Sequence, residues 1–421
     1  MIGKVIENGL IEKVFGYLTH DEIDFQIESG WIVTNVAAGN SMDVKYLMDH
    51  DVIEKMMPLL YSSNEKVWSQ AVWAYGNLAA EGIQVRNMVN KEEIIKLIVA
   101  ITIEQTQILK ASKSPDALRY VQSLAWAMSN SCGRKPNPDF QMVKLFLPGL
   151  LALLESTDDK ETIEATCWAF SCLTDGGNEQ IQEVLDSGFL PLMMKIMGKE
   201  TSTGKQIHLS SIRVLGNLAS GNEEQTQQVI DLGGIQILFE HASAIYSKDI
   251  RKEACWALSN ICAGSEEQTR TVVDYPNLLA SMVEMLSLAP FEVQKEMAWI
   301  FANIAEKEIL SLTMRLHECG CVRALLSLLV VHDSKVVLVC LGAIYQIGKV
   351  LQQEVGMIDE FDDFKETIEN NGGLDIIEQL QTSPYHSVYM KALQILETFF
   401  DAVEEGVDAV EDERRNVINE G

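Results

Sequence analysis

A tryptophan followed four residues later by an asparagine recurs along this 421-residue chain, each time in a run with the composition of a helix. The complete pairs are Trp31/Asn35, Trp73/Asn77, Trp126/Asn130, Trp256/Asn260 and Trp299/Asn303. Two further copies keep one member each, with Trp168 followed by Cys172 and Asn217 preceded by Arg213. Because six of the seven tryptophans fall in this pattern, it constrains the fold more than any other feature.

The spacing of the copies predicts the fold class. Four of the intervals are 42 or 43 residues, and the interval from Trp73 to Trp126 is longer, at 53. A period of about 40–47 residues is typical of stacked helical repeats of the armadillo or HEAT type. Since one such repeat cannot bury its apolar face alone, neighbours stack into a continuous core, and ligands usually bind the concave face. The sequence therefore predicts an all-α solenoid.

Turn and charge signals mark the boundaries of the repeats. Residues 105–115 form an insertion that either lengthens a helix or makes a loop, and Pro136 and Pro138 must end the helix that carries Trp126. Gly39 follows the first pair and predicts a left-handed glycine cap there. Residues 401–421 contain eight acidic and two basic residues, so we expect an acidic, disordered C-terminal tail beyond an array at 1–400.

The formal net charge of −28 at pH 7 limits the classes of partner. A chain this acidic should repel nucleic acid and anionic membranes and attract basic partners. Acidic residues that only keep a protein soluble would give the same charge, so this alternative stays open. No apolar run approaches the about 18 residues needed to cross a bilayer, and the N-terminus lacks the build of a secretory signal. We therefore expect a soluble intracellular protein.

Reactive-residue patterns are sparse. The eight cysteines form no CxxC pair and lie mostly in apolar helical runs, which indicates buried thiols in a reducing compartment. The one metal-like cluster, Cys319-Gly320-Cys321 beside His317, lacks a second ligand pair at zinc-finger spacing. There is no nucleophile–base set or phosphate loop, and the seven histidines fall outside the repeating motif. We expect no metal, no cofactor and no catalytic residue.

The pair itself has a chemical reading. Residues four apart share a helix face, so stacked repeats align the pairs into a tryptophan row and an asparagine row. Asparagine is disfavoured inside helices, and its amide both donates and accepts, so its recurrence indicates binding to the peptide bonds of an extended ligand. Slots between tryptophans would hold lysine or arginine stems. Packed helices are about 8–10 Å apart, and an extended peptide rises about 3.3 Å per residue. One slot would therefore serve every second or third residue of the ligand.

The alternative places tryptophan in the core and lets asparagine cap a neighbouring helix or loop. Arg213 stands where a tryptophan is expected, and arginine is rarely fully buried, so this substitution favours an exposed row. Carboxylates beside the motif would then meet the charged heads of basic side chains; these carboxylates are Glu81, Asp175, Glu253 and Glu296.

These pairs and their flanks resemble the importin-α (karyopherin-α) family of nuclear import adaptors over roughly residues 8–400. The most specific segments are residues 28–35, 70–77, 167–176, 216–226 and 371–375. The resemblance implies a right-handed superhelical armadillo-repeat solenoid of about nine repeats. It also implies an adaptor that binds basic nuclear localisation signals and shuttles between cytoplasm and nucleus through nuclear pores.

The resemblance further implies two peptide-binding segments. The major segment consists of Trp31, Asn35, Gly39, Trp73, Asn77, Glu81, Trp126 and Asn130, with Trp168 and Asp175 adjoining it. The minor segment consists of Arg213, Asn217, Glu253, Trp256, Asn260, Glu296, Trp299 and Asn303. Three positions depart from the family pattern: Glu81 replaces its key aspartate, Val44 a threonine and Cys172 a tyrosine.

The implied partners are cargo proteins with basic signals, importin-β, and an export receptor with Ran-GTP at the C-terminal repeats. The basic segment that binds importin-β in the family has no counterpart in the first 20 residues, where Lys4 and Lys13 are the only basic residues. The family's first repeat has no counterpart in this sequence either. Importin-β binding therefore stays open for this chain. The competing hypothesis is an armadillo scaffold that binds acidic or phosphorylated partners through a basic groove, for which the net charge has the wrong sign.

Overall fold

A computed structural model of the protein describes residues 6, 9–202, 209–354 and 356–400, with the backbone alone at 199–202. Every regular element within these ranges is an α-helix or a short 3₁₀ helix, which confirms the all-α prediction. The expected acidic tail at 401–421 lies outside the described residues. The chain divides into two compact units, residues 1–237 and 238–421.

The first unit contains a run of helices that alternate between short connecting helices and longer ones carrying the tryptophan–asparagine motif. They are α1 Leu10–Tyr17, α2 Ile23–Ala37, α3 Ser41–Asp49, α4 Val52–Met56, α5 Glu65–Glu81, α6 Ile83–Val89, α7 Glu92–Ser112, α8 Pro115–Cys132, α9 Phe140–Val143, α10 Leu147–Ser156, α11 Lys160–Leu173, α12 Asn178–Leu185, α13 Phe189–Ser202, α14 Leu209–Ala219 and α15 Glu223–Asp231. Helix α16, Gly234–His241, contains the boundary between the units.

The second unit repeats the same alternation. Its helices are α17 Lys248–Ala263, α18 Glu266–Val273, α19 Leu278–Leu286, α20 Phe291–Ala305, α21 Leu310–Glu318, α22 Cys321–Leu326, α23 Ser334–Gln353, α24 Ile358–Asn370, α25 Gly373–Leu380 and α26 His386–Phe399.

Within each unit, the motif-bearing helix of one repeat packs on the equivalent helix of the next. In the first unit α2 packs on α5, α5 on α8, α8 on α11 and α11 on α14; in the second, α17 packs on α20, α20 on α23 and α23 on α26. Helix α5 shows how the sequence sets this up. Its residues Val67, Ala71, Ala74 and Leu78 recur at helical spacing and are buried, which leaves Trp73 on another face.

The structure decides one open alternative and confirms one local prediction. The insertion at 105–115 lengthens a helix, because α7 continues for 21 residues to Ser112. Ser114 then accepts a hydrogen bond from the backbone N–H of Asp116 and caps α8, with Pro115 at its first position. Helix α8 ends at Cys132, before the two prolines.

Helix α23 corrects one expectation. It is long and apolar enough to cross a membrane by length and composition, and 56% of its most apolar window is buried within the protein. Val336, Cys340 and Ile344 are among its buried residues, and it packs against α20, α21, α22, α24 and α26. The core helix of a solenoid needs apolar residues on several faces, which accounts for the composition of this helix.

Candidate functional site

The repeating tryptophans lie at the surface. Trp31 is 55% exposed, Trp73 42%, Trp168 39% and Trp299 43%, while the rings of Trp126 and Trp256 are half-buried. By contrast Trp68, the one tryptophan outside the motif, is 4% exposed. The alternative in which the repeating tryptophans fill the core is therefore wrong.

The asparagines link consecutive repeats. In four of them the side-chain Nδ2 donates a hydrogen bond to a backbone carbonyl of the preceding motif helix, always three residues beyond the tryptophan there. These bonds are Asn77 to Thr34 (3.1 Å), Asn130 to Gly76 (3.1 Å), Asn217 to Ser171 (2.8 Å) and Asn303 to Ser259 (2.8 Å). Asn35 instead donates to the carbonyl of Trp31 in its own helix, at 2.7 Å.

This linkage gives the asparagines a role that the motif did not reveal. The alternative interpretation, in which asparagine caps a neighbouring helix, was right about the contact with that helix. The amide, however, donates to a carbonyl within the helix and does not cap its end. A primary amide carries two N–H donors and one carbonyl acceptor. In Asn217 both N–H groups are used, because Nδ2 also donates to Oγ1 of Thr174 at 3.1 Å. In Asn77, Asn130 and Asn303 the linking bond uses one donor, so a second N–H and Oδ1 remain for a ligand.

Trp73 and Trp126 form a close pair. Their ring centroids are 5.0 Å apart and the ring planes are inclined by 37°. Trp126 rests directly on the backbone of Gly76, because an added Cβ at Gly76 would lie only 2.3 Å from Cζ3 of Trp126. Gly76, which precedes Asn77 in the sequence, is thus the residue against which the tryptophan of the next repeat packs.

The structure brings Trp73, Trp126 and Trp168 to one cavity of about 1000 Å³, here called the groove cavity. Trp31 is not among its lining residues. Its wall also carries charged side chains that the motif analysis did not single out: Lys66, Asp116, Arg119, Glu161 and Glu164. These residues lie in the turns that precede each tryptophan, so their position could have been read from helical periodicity alone.

Asp175 already has a cationic partner from its own chain. The Nζ of Lys135 lies 2.7 Å from Oδ2 of Asp175, and Nδ2 of Asn137 donates to the backbone carbonyl of Asp175 at 2.8 Å. The neighbouring Arg134 donates to the backbone carbonyl of Glu81 at 3.0 Å. Residues 133–137, here called the basic loop, thus lie beside both predicted carboxylate positions of the major segment.

A buried arginine fixes this basic loop. Arg86 is fully buried, and its guanidinium donates to the backbone carbonyls of Gly133, Arg134 (2.6 Å) and Pro136 (2.9 Å), and to Oδ1 of Asn87. Burial lowers the pKa of the Arg86 guanidinium. Sequence patterns gave no sign of this role, because the acceptors are backbone atoms 47–50 residues away.

Gly39 differs from its prediction. Helix α2 ends at Ala37, and Gly39 is not among the glycines with positive φ, so the left-handed cap is wrong. A Cβ at Gly39 would lie 2.5 Å from Oδ2 of Asp43. That carboxylate accepts from the backbone N–H of Asn40 while Asn40 accepts from that of Asp43, which forms a capping box at the start of α3. Gly39 is therefore small to make room for this cap.

The predicted minor segment is divided between the units. Arg213 is half-buried and Asn217 buried, and both belong to the first unit; the remaining members belong to the second. Glu253 is only 4% exposed, with Nζ of Lys252 at 3.5 Å. Glu296 is half-buried, and burial raises the pKa of its carboxyl, with the nearby charge of Glu253 acting in the same direction. These carboxylates lie deeper than the sequence suggested.

The cysteines follow the expectation of buried thiols, since all are free and all except the half-buried Cys172 and Cys319 are buried. Burial raises the pKa of Cys255 and of Cys262 to about 12. Nε2 of His317 lies 3.0 Å from Oδ2 of Asp363. Within the described ranges, no group of three or more histidine, cysteine, aspartate or glutamate side chains could hold a metal ion.

Comparisons with known proteins identify the relatives of this chain. The family models for the armadillo/β-catenin-like repeat and the atypical Arm repeat match residues 222–263 and 362–414. The chain is 33% identical to importin subunit alpha-1b of Oryza sativa subsp. japonica, over 100% of this chain and 76% of that protein. It is 35% identical to importin subunit alpha-3 of Arabidopsis thaliana (97% and 75%) and 38% identical to its importin subunit alpha-7 (95% and 75%).

Solved structures agree with this fold. An engineered protein superimposes with a TM-score of 0.78 at 24% identity, over 94% of this chain and 90% of its own. A designed armadillo repeat protein in complex with the peptide (KR)4 superimposes with a TM-score of 0.50 at 29% identity, over 60% of this chain and 99% of its own. The prediction of an armadillo-repeat solenoid is confirmed.

Proposed function

Because the chain belongs to the importin-α family of nuclear import adaptors, we propose that it binds the lysine- and arginine-rich nuclear localisation signals of cargo proteins on its tryptophan and asparagine rows. The observation that carries the proposal is the exposure of Trp31, Trp73, Trp168 and Trp299 at equivalent positions of stacked repeats, while Trp68 is buried. Members of this family are adaptors and not enzymes, and they shuttle between cytoplasm and nucleus.

The chemistry of the rows suits an extended basic peptide. An exposed indole face attracts a cationic head and packs against its methylene stem, which contributes about 0.5–2 kcal/mol per site. The second N–H and the Oδ1 of Asn77, Asn130 and Asn303 can bond a ligand peptide group. Several such sites together reach the about 8 kcal/mol that micromolar binding requires.

The pair formed by Trp73 and Trp126 modifies the slot model. A methylene stem held between two ring faces needs about 7–8 Å between them, from two contacts of about 3.5–4.0 Å. The ring centroids are only 5.0 Å apart, so a stem cannot lie between these two rings as they are packed. We place the ligand side chain instead over the exposed face of Trp73.

Alternating basic residues fit the rows best. The structure of a designed armadillo repeat protein holds the peptide (KR)4, which shows that the same scaffold can bind such a sequence in that protein. The residues assigned above to the major and minor segments are the proposed contacts. Asp175 and Glu253 are weaker candidates for direct contact, because one is paired with Lys135 and the other is buried. Contacts with importin-β and with the export receptor remain predictions of the resemblance.

The test is binding of a fluorescent Lys-Lys-Lys-Arg-Lys peptide to the whole chain, followed by anisotropy at two salt concentrations. Trp73→Ala should weaken binding, and salt should weaken the wild-type interaction because it screens charge pairs. Asn77→Ala changes two things, since it also removes the bond to Thr34, so its thermal stability must be measured alongside. Leu288→Ala, at a highly exposed position of the second unit, is the control.

No binding by the folded wild-type chain would refute the adaptor proposal and favour the armadillo scaffold with other partners. Equal binding by wild type and Trp73→Ala would show that the peptide binds elsewhere than on the first-unit tryptophan row.

A further inference from the structure

The wall of the groove cavity is not uniformly acidic, although the chain as a whole carries a net charge of −28. Lys66 lies seven residues before Trp73, and Arg119 lies seven residues before Trp126. Seven residues are about two helical turns, so the two cations occupy equivalent places in adjacent repeats. Both side chains are exposed and both line the cavity.

The next repeat along the same wall has the opposite charge. Glu161 and Glu164 lie seven and four residues before Trp168, are exposed, and line the cavity as well. Along the wall, the repeat of Trp73 therefore contributes the cation Lys66, and the repeat of Trp126 contributes Arg119 together with Asp116. The repeat of Trp168 contributes carboxylates alone.

The two cations are available to a ligand. The Lys66 side chain is exposed, and among the described residues none forms an ion pair with it. Arg119 contacts the carboxylate of Asp116 one turn earlier on the same exposed helix face. Exposed pairs of this kind contribute little to stability, so a ligand group can compete for Arg119.

A ligand with basic residues throughout would place like charges opposite Lys66 and Arg119. Like charges across an interface disfavour a partner, whereas opposite charges fix its register. We infer that the groove cavity selects peptides in which the basic segment is flanked by a carboxylate side chain, aspartate or glutamate, which binds Lys66 and Arg119. The basic residues then lie over the tryptophans and towards Glu161 and Glu164.

This inference rests on the proposed function and specifies its ligand more closely. The tryptophan and asparagine rows provide binding to basic residues, and the charged wall decides which basic segments fit. It also gives the peptide a register, because the carboxylate must lie at Lys66 and Arg119 while the cations lie at Glu161.

The experiment compares peptides that share one basic core and differ only in the flank. The core is flanked by aspartate on its N-terminal side, by aspartate on its C-terminal side, or by serine on both sides. Anisotropy with the whole chain should show one aspartate peptide binding about 2–10-fold more tightly than the serine peptide, from two exposed ion pairs. The flank that gains affinity reports the direction of the peptide.

Variants separate this wall from general electrostatics. Lys66→Ser combined with Arg119→Ser should abolish the preference for the aspartate flank, and Lys66→Glu should reverse it. Arg270→Ser is the matched control, because Arg270 is also bonded to an acidic residue one turn earlier, Glu266, but lies on α18 in the second unit. It should leave the preference unchanged.

Equal affinities of the wild-type chain for all three peptides would overturn the inference while leaving the proposed function in place. An aspartate preference that survives the Lys66 and Arg119 substitutions would also overturn it. Failure of the folded wild-type chain to bind any of the three peptides would refute the proposed function, and the inference with it.

Discussion

Replacing Gly76 by alanine should displace Trp126 from the helix on which it lies. The added Cβ would be 2.3 Å from Cζ3 and 2.8 Å from Cε3 of Trp126, well inside van der Waals contact. These atoms belong to a rigid indole that also packs against Trp73, and the carbonyl of Gly76 accepts the bond from Asn130. The ring therefore cannot shift without disturbing the tryptophan pair or the link between two repeats.

Two effects on stability oppose each other. Alanine in place of glycine inside a helix stabilises by about 0.5–1 kcal/mol. Overpacking costs about 1–3 kcal/mol, and weakening the bond from Asn130 costs up to about 1 kcal/mol more. Because the ring is only half-buried, overpacking should cost less here than in a closed core, and we expect a net loss of about 1 kcal/mol. Peptide affinity should fall by about 2–30-fold, equivalent to one tryptophan site of about 0.5–2 kcal/mol.

Gly342→Ala is the matched control. Gly342 lies inside α23, and a Cβ there would meet no heavy atom within 4 Å. This variant should gain the full helix-propensity term of about 0.5–1 kcal/mol and leave peptide affinity unchanged. Thermal unfolding followed by circular dichroism measures stability, and peptide anisotropy measures binding.

The reasoning would be refuted if Gly76→Ala raised the unfolding midpoint as much as Gly342→Ala does and bound the peptide like the wild type. That result would mean that the Trp126 ring moves aside at no cost, and that its contact with Gly76 does not shape the binding surface.

Three further predictions concern Arg86 and Lys135 in the first unit and Glu296 in the second. Arg86→Met should lower the free energy of unfolding by about 3–5 kcal/mol, because it leaves buried carbonyls unpaired. It should also expose residues 133–137 to limited proteolysis, and an unchanged digestion pattern would contradict the role of Arg86 in holding these residues. Lys135→Ala should leave stability within about 1 kcal/mol, as for any exposed pair, but release Asp175 and raise the affinity for a basic peptide up to about fivefold in a titration. The carboxyl of Glu296 has a raised pKa in the folded protein, so its protonated form stabilises the fold. This contribution to the free energy of unfolding is fully present below the ordinary pKa of 4.5 and is lost as the pH rises through the raised pKa. A basic ligand favours the ionised carboxylate, so peptide binding to the second unit should weaken as the pH falls through the raised pKa. Glu296→Gln should remove this pH dependence in a series of binding measurements. A wild-type affinity independent of pH would argue against a ligand cation at Glu296.

Much of the fold follows from local periodicity. The interval of 42 or 43 residues fixed the repeat length, and the four-residue spacing placed each tryptophan and asparagine on one face. Arg213 in a tryptophan position correctly indicated that the row is not core. The lengthened α7 and the end of α8 before its prolines were also readable, because both depend on residues that are neighbours in the chain.

The site itself depends on contacts that periodicity does not contain. Three contacts join residues about one repeat apart in the chain. They are the hydrogen bond from Asn77 to Thr34, the contact of Trp126 with Gly76, and the hydrogen bonds from Arg86 to residues 133–137. The register and separation of two packed helices decide which of their atoms meet, and these are set by how the whole apolar faces interdigitate. The sequence by itself determined that tryptophan and asparagine rows exist and that they share a helix face. Only the tertiary structure decided that at least one amide donor of each linking asparagine is already engaged, that Asp175 is paired with Lys135, and that Lys66 and Arg119 line the same cavity. Each of these contacts depends on the packing of neighbouring repeats.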